Sequence, residues 1–341
     1  MIIAVITIVR SVKRSVRIDV PDAPTIAAST NEKEFSEGAV DSGSTTTLTQ
    51  SFPMTSSARF SINTPSSDVD IQVWDQPQAE VRVIKSGGSR SDRRSTKAFY
   101  STDGGNLSIR DAGGRNRVDL SYEIRLPRNV KEVEIKGVSS KIHIFGVNGA
   151  VSVQSASGDI QASAIKGDVS ITSQSGNINL SKMTGDIKAT TASGDIALEG
   201  VSGSASVTTA SGDAKVVFDK VTSSKPMELR TVSGSLEIEF TESVDADLDV
   251  ETVSGDIIVS DELGITVEQN LVGQRANGRI GKGGSGLSIR TVSGSIRITG
   301  TPGDIPGGVP GGVPGGVPGG VPGGVPSPPP PPRPAGKGRP K

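Results

Sequence analysis

Asp159, Asp168, Asp186, Asp195, Asp213 and Asp256 each follow a glycine directly. Carboxylates recurring at a fixed spacing have three chemical uses: ligating calcium, serving as acid and base in glycoside cleavage, or accepting hydrogen bonds from backbone N–H groups at turns. Nonapeptide rolls that bind calcium follow G-G-x-G-x-D-x-U-x, with glycine two residues ahead of the aspartate so that paired turns cage the ion. Here glycine and aspartate are adjacent and the double glycine is missing, which disfavours calcium. Glycoside cleavage takes two carboxyls about 5 to 9.5 Å apart. A ladder of stacked aspartates meets that separation by construction, so the distance decides nothing. Carbohydrate clefts also use aromatic platforms, and between residues 146 and 300 the aromatics are Phe218 and Phe240. The turn reading is preferred, because Asn177 and Ser204 replace aspartate in register, and Asp, Asn and Ser are interchangeable beside a turn glycine.

The remaining candidates are individual residues. His143, the sole histidine, alternates with Ile142 and Ile144 in KIHIFG and so points away from their face. No cysteine exists in the chain to join it, and no serine elbow motif stands near it, so it is read as a surface-facing strand residue. Trp74 ends the run IQVW before a turn and is read as a small-core plug or a terminal cap. The glycine run at 281–286, GKGGSG, lacks G-x-x-x-x-G-K-[ST] and precedes no helix, which makes it a loop between strands. No residue is assigned a catalytic, cofactor-binding or metal-binding role, and no cofactor is expected.

What must hold these residues is a repeat. Gly149, Gly158, Gly167, Gly176, Gly185, Gly194, Gly203 and Gly212 are evenly spaced, and the words SASGDIQA, SQSGNINL, TASGDIAL and TASGDAKV recur at twice that spacing. Apolar residues occupy the second position after each glycine (Ile160, Ile178, Ile196) and the fourth (Leu180, Leu198, Val216). Both positions share one face of a strand. The seventh is often apolar too, as in Ile165, Met183, Ala192, Val201 and Ala210, and is expected to tuck inside at the turn. The pattern predicts an all-β chain, a single β-solenoid or β-helix with about 18–22 residues per coil. Stacked coils would lie about 4.8 Å apart, a distance at which two bare aspartates repel by about 1 kcal/mol in water. Further alternating segments run from Phe60 onward, and no dozen-residue window keeps helical spacing. The words RTVSGSLEI, ETVSGDIIV and RTVSGSIRI continue the coils beyond Gly212, interrupted by a polar excursion from Gly264 to Gly286.

The ends differ from the repeat. Residues 1–20 carry a short apolar run followed by Arg10, Lys13, Arg14 and Arg17, an order opposite to that of a signal peptide. They are read either as the end of a membrane anchor or as an ordinary strand. Residues 21–50 are read as a linker, residues 51–300 as the solenoid, and residues 301–341, with repeated GGVP and a proline tract, as a disordered arm with a basic tip. A formal charge of -1 gives no field that would gather nucleic acid.

The phrases VDIQVWDQPQAEVRV, the reiterated TASGDI, and NGRIGKGGSGLSIRTVSGSIRI resemble the bacterial β-strand-repeat family known as putative adhesins, over about residues 58–300. The resemblance implies a β-solenoid at the cell envelope, often membrane-tethered, with no agreed catalytic residues. The expected function is noncatalytic adhesion, scaffolding or envelope sensing. The expected partner is an envelope or surface protein or glycan, with a membrane at the N-terminus and a proline-reading module at the tail. The alternatives are a polysaccharide-active β-helix enzyme, marked by a groove that gathers carboxylates beside an aromatic ring, and an intracellular scaffold working through its tail.

Overall fold

The computed structural model describes residues 32–300, apart from residues 56, 112–116, 222–224 and 243. The segment 1–20, the start of the expected linker and the arm at 301–341 lie outside the described residues.

The repeat folds as a parallel β-solenoid with two strands per coil. Ile160, Ile178 and Ile196 are at most 1% exposed, and Leu180, Leu198 and Val216 are buried with them. Val151 pairs with Val169, which pairs with Ile187, so one coil spans 18 residues (151 to 169). The offset widens to 22 where Ala214 pairs with Leu236 (214 to 236). Strands Ile178–Ser193 and Ile196–Ser211 each bend through a glycine and serve both halves of a coil.

The seventh-position expectation holds for one half-coil and fails for the other. Ile165, Met183 and Val201 are buried, whereas Ala192 and Ala210 are only half-buried. The cause is a left-handed residue. Ala164 and Lys182 each have φ 55° and Gly200 has φ 68°, one per coil at the same register position. Each inserts an extra residue into the alternation and swings its successor inward. The other half-coil keeps strict alternation and turns its sixth residue inward: Thr191 and Thr209 are fully buried.

Neither end of the stack follows chain order. The coil formed by Leu236–Phe240 and its partner strand Met227–Ser233 is covered by the last coil of the described chain, Ser285–Ser293 with Ile296–Thr299. That coil is covered in turn by the earlier strands Ala246–Ser254 and Ile257–Val259. Gln274–Ile280 then pairs antiparallel with Ala246–Ser254 and closes the end. The closing SGSIRITG is therefore an interior coil, not the cap that chain order suggests. At the other end, Arg59–Thr64 and Asp68–Trp74 lie between the coil of Glu132–Ser139 with Ile142–Phe145 and that of Asn106–Asp111 with Val118–Pro127.

Two further expectations are corrected. Strands at Lys33–Glu34, Val40–Ser42 and Thr45–Pro53 occupy the second half of the expected linker, because the polar Thr45–Pro53 pairs antiparallel with Gln78–Gly87 along its whole length. The N-terminal end is plugged by Phe35, Phe52 and Tyr100, with ring centroids 4.7–6.0 Å apart, and not by Trp74. One short helix, Arg90–Ser95, escapes the periodicity test because it is a single capped turn and a half: Ser89 and Asp92 form a capping box. Among the described residues, no helix is long and apolar enough to cross a membrane.

Candidate functional site

The aspartates act between coils. Asp159 Oδ1 accepts from the backbone N–H of Asn177 at 3.0 Å, Asn177 Oδ1 from Asp195 N–H at 2.9 Å, and Asp195 Oδ1 from Asp213 N–H at 2.9 Å. Each side chain binds the equivalent residue one coil on, and Asn does this as well as Asp. The other turn carries the same contact, with Asp168 Oδ1 accepting from Asp186 N–H at 3.3 Å. Asp186 has added partners: the Lys225 ammonium and the Ser204 hydroxyl hold its carboxyl below the usual range. Asp256, in the terminal coil, faces the Gln274 amide at 3.5 Å. One side-chain oxygen of each ladder residue is thus taken by a protein donor, and among the described residues no three carboxylate or imidazole groups are placed to share a metal ion. The ladder joins each coil to the next.

A second ladder escaped the sequence reading. Ser155, Ser173, Thr191, Thr209, Thr231 and Thr291 pair successively across the stack and are at most 5% exposed. Their hydroxyls donate to carbonyls at the adjacent turn, for example Thr191 Oγ1 to Ser193 O at 3.3 Å and Thr209 Oγ1 to Gly194 O at 3.4 Å. The signal was present, since Ser or Thr stands three residues before the glycine in every TASGD-like word. The column ends in a buried cluster. Asp111 Oδ2 accepts from Thr64 Oγ1 and Ser67 Oγ at 2.8 Å and from Tyr122 OH at 3.0 Å. Burial, reinforced by the charge of Asp111, raises the Tyr122 phenol well above its ordinary range.

Chemistry at the surface is found elsewhere, on the strands Asp68–Trp74, Val118–Pro127 and Ile142–Phe145. Inward Ile142 and Ile144 leave His143 and Phe145 pointing outward, as the alternation predicts for His143. His143 contacts Gln161, and its Nδ1 lies 3.8 Å from Asp70 Oδ2. Asp70 Oδ1 accepts from Gln72 Nε2 at 3.0 Å. Arg82 pairs with Glu123, and Arg125 Nη1 lies 3.3 Å from Glu80 Oε1. Trp74 is half-buried, donates Nε1–H to Gln78 O at 2.7 Å, and lies under the Arg125 guanidinium at 5.7 Å. Asp70, Gln72, Glu123, Arg125 and His143, with Asp68 and Lys141, line an open depression of about 540 Å³. The sequence reading passed over this site because its residues come from strands far apart in the chain.

The protein is thus a parallel β-solenoid whose repeated turn residues are structural and whose outward side chains are free to differ from coil to coil. The chain belongs to the family described as Toastrack DUF4097, whose model matches residues 11–189 and 58–299. This bears out the family expected from the SGDI and TVSGSI words. No curated protein matches the sequence. Among solved structures, the chain is similar to a putative adhesin from Bacteroides fragilis, with 9% identity, a TM-score of 0.44 and coverage of 74% of this chain and 97% of that one. It is also similar to a putative cell adhesion protein from Clostridium sporogenes, with 12% identity, a TM-score of 0.27 and coverage of 74% and 99%. A putative adhesin from Parabacteroides distasonis shows 9% identity, a TM-score of 0.35 and coverage of 74% and 97%.

Proposed function

We propose that the protein is a noncatalytic cell-envelope solenoid, acting in adhesion, scaffolding or envelope sensing through the outward face of its strands. One observation carries this reading. Inward and turn positions repeat from coil to coil, whereas the outward column that begins at His143 does not: His143, Gln161, Asn179, Ala197 and Lys215 succeed one another across five adjacent strands. A scaffold held constant beneath a varied surface is suited to recognising an extended partner. The polysaccharide-active alternative fits less well, although carboxylates do gather near Phe145. Acid and nucleophile must flank a glycosidic bond from two sides, whereas Asp70 and Glu123 stand side by side on adjacent strands of one sheet. Both would approach a sugar from the same direction.

Fractionation of cells producing the full chain tests the reading. The protein is expected in the envelope fraction, digestible by protease added to intact cells, and purified protein is expected to co-sediment with isolated envelopes. A wholly soluble cytoplasmic product that does not co-sediment with envelopes would overturn it.

A further inference from the structure

Two outward columns cross the sheet that carries Ile142–Phe145. Glu123, Asp70, His143 and Gln161 are neighbours in the first, and Arg125, Gln72, Phe145 and Ser163 in the second. Phe145 is out of character there. It is 56% exposed, the one aromatic among the exposed large apolar side chains of the described residues, and its column continues as Ser181 and Glu199. The 540 Å³ depression and a neighbouring one of about 310 Å³ share Asp70, Gln72 and His143, and the second reaches Phe145.

The hydrogen-bonding character of this face narrows what can occupy it. Asp68, Asp70 and Glu123 line the larger depression beside Arg125 and Lys141; with Arg125 paired to Glu80 and Glu123 to Arg82, two carboxylates and one ammonium remain. An anion would therefore meet more negative charge than free positive charge. A peptide strand cannot add here through its backbone, because Ile142–Phe145 is paired on both sides, with Asp68–Trp74 and with Ile160–Lys166. A ligand with several O–H donors and one apolar face fits both kinds of group. Its hydroxyls donate to the Asp70 carboxylate and to the amide oxygens of Gln72 and Gln161, and its C–H face lies on the Phe145 ring. Carboxylate acceptors make the stronger of these bonds.

We infer that the Phe145 face binds a neutral glycan chain. The inference rests on the binding role proposed above and gives that role a place and a ligand class. Trp74 is the only tryptophan in the chain and lies two residues beyond Gln72 on the same strand, so its emission reports on the site. Full-length protein would be titrated with β-1,3-glucan, β-1,4-glucan, α-mannan and N-acetylglucosamine oligomers, with polygalacturonate as the acidic arm. Trp74 emission and retardation in polymer-containing gels would be followed together.

At least one neutral polymer is expected to bind saturably and polygalacturonate not at all. Phe145→Ala should weaken binding by about tenfold at unchanged melting temperature, and Phe145→Tyr should retain it. Failure of every neutral polymer in both readouts, unchanged binding by Phe145→Ala, or binding of polygalacturonate alone would overturn the inference. If envelope co-sedimentation persists when the neutral polymers fail, the site is wrong and the broader role stands. Loss of both removes the role as well.

Discussion

Gly194→Ala tests whether the turns are packed backbone on backbone. Gly194 has φ +139°, and a Cβ placed on it would lie 2.3 Å from the carbonyl oxygen and 2.8 Å from the carbonyl carbon of Gly176, one coil earlier. Two costs add. Holding alanine in a region of backbone space reserved for glycine costs about 1–3 kcal/mol. Forcing the coils apart at a main-chain contact, which no rotamer change can relieve, costs about 1–3 kcal/mol more, as overpacking does elsewhere. The sum is at least about 2 kcal/mol, and at about 2–4 °C per kcal/mol for a domain of this size the melting temperature falls by at least about 4 °C. Asp195→Asn is the matched control, because Asn177 already accepts the same inter-coil bond at the same 2.9 Å that Asp195 does. It should stay within about 0.5 kcal/mol of the parent. Thermal melts followed by circular dichroism, with urea midpoints at constant slope, measure both. A Gly194→Ala protein melting within experimental error of the parent, or an Asp195→Asn protein falling as far, would refute the stacking argument.

Thr191→Val removes the buried hydroxyl that donates to Ser193 O while keeping the side-chain shape, and should cost about 1 kcal/mol by urea unfolding. Lys182→Gly should raise stability by about 0.5–1 kcal/mol, since relief of left-handed strain exceeds the added chain entropy; Gly200 already occupies the equivalent position. Burial and the charge of Asp111 raise the Tyr122 phenol well above its ordinary value of about 10, so the folded state keeps a proton that the unfolded state releases. Its stabilising contribution is present in full below about pH 10 and is lost as pH rises further, so Tyr122→Phe should flatten the alkaline loss of stability measured by unfolding between pH 9 and pH 11 (about one unit either side of the free phenol value).

Local alternation made the coils legible. Ile160, Ile178 and Ile196 could be placed in the core from spacing alone, because one buried face per strand fixes the register. Aspartate turns were also legible, through the substitution of Asn177 and Ser204 in register, although their hydrogen bonds run to the next coil and not within the turn. Two kinds of feature were not. Left-handed Ala164 and Lys182 shift the alternation without the glycine that usually marks such a conformation, so the inward role of the seventh residue was extended wrongly to Ala192 and Ala210. Placement between distant segments was the other. Nothing local in SGSIRITG tells it to enter the stack ahead of ETVSGDIIV, and nothing in IHIF announces that Phe145 will stand beside Gln72. Both depend on pairing chosen by the whole sheet.

The interior position of the final coil makes the fold a check on whether synthesis is complete. Strands Ala246–Ser254 and Ile257–Val259 leave the ribosome before Ser285–Ser293 and Ile296–Thr299, yet their parallel partners are those later strands. Until residue 299 has emerged, the earlier coil has no parallel ladder to join, and the coil at Met227–Ser233 keeps an open edge. A chain cut short anywhere in the last words of the repeat lacks a wedge between two coils, so its exposed strands mark it for proteolysis. A solenoid built in chain order would tolerate the same truncation by ending one coil sooner.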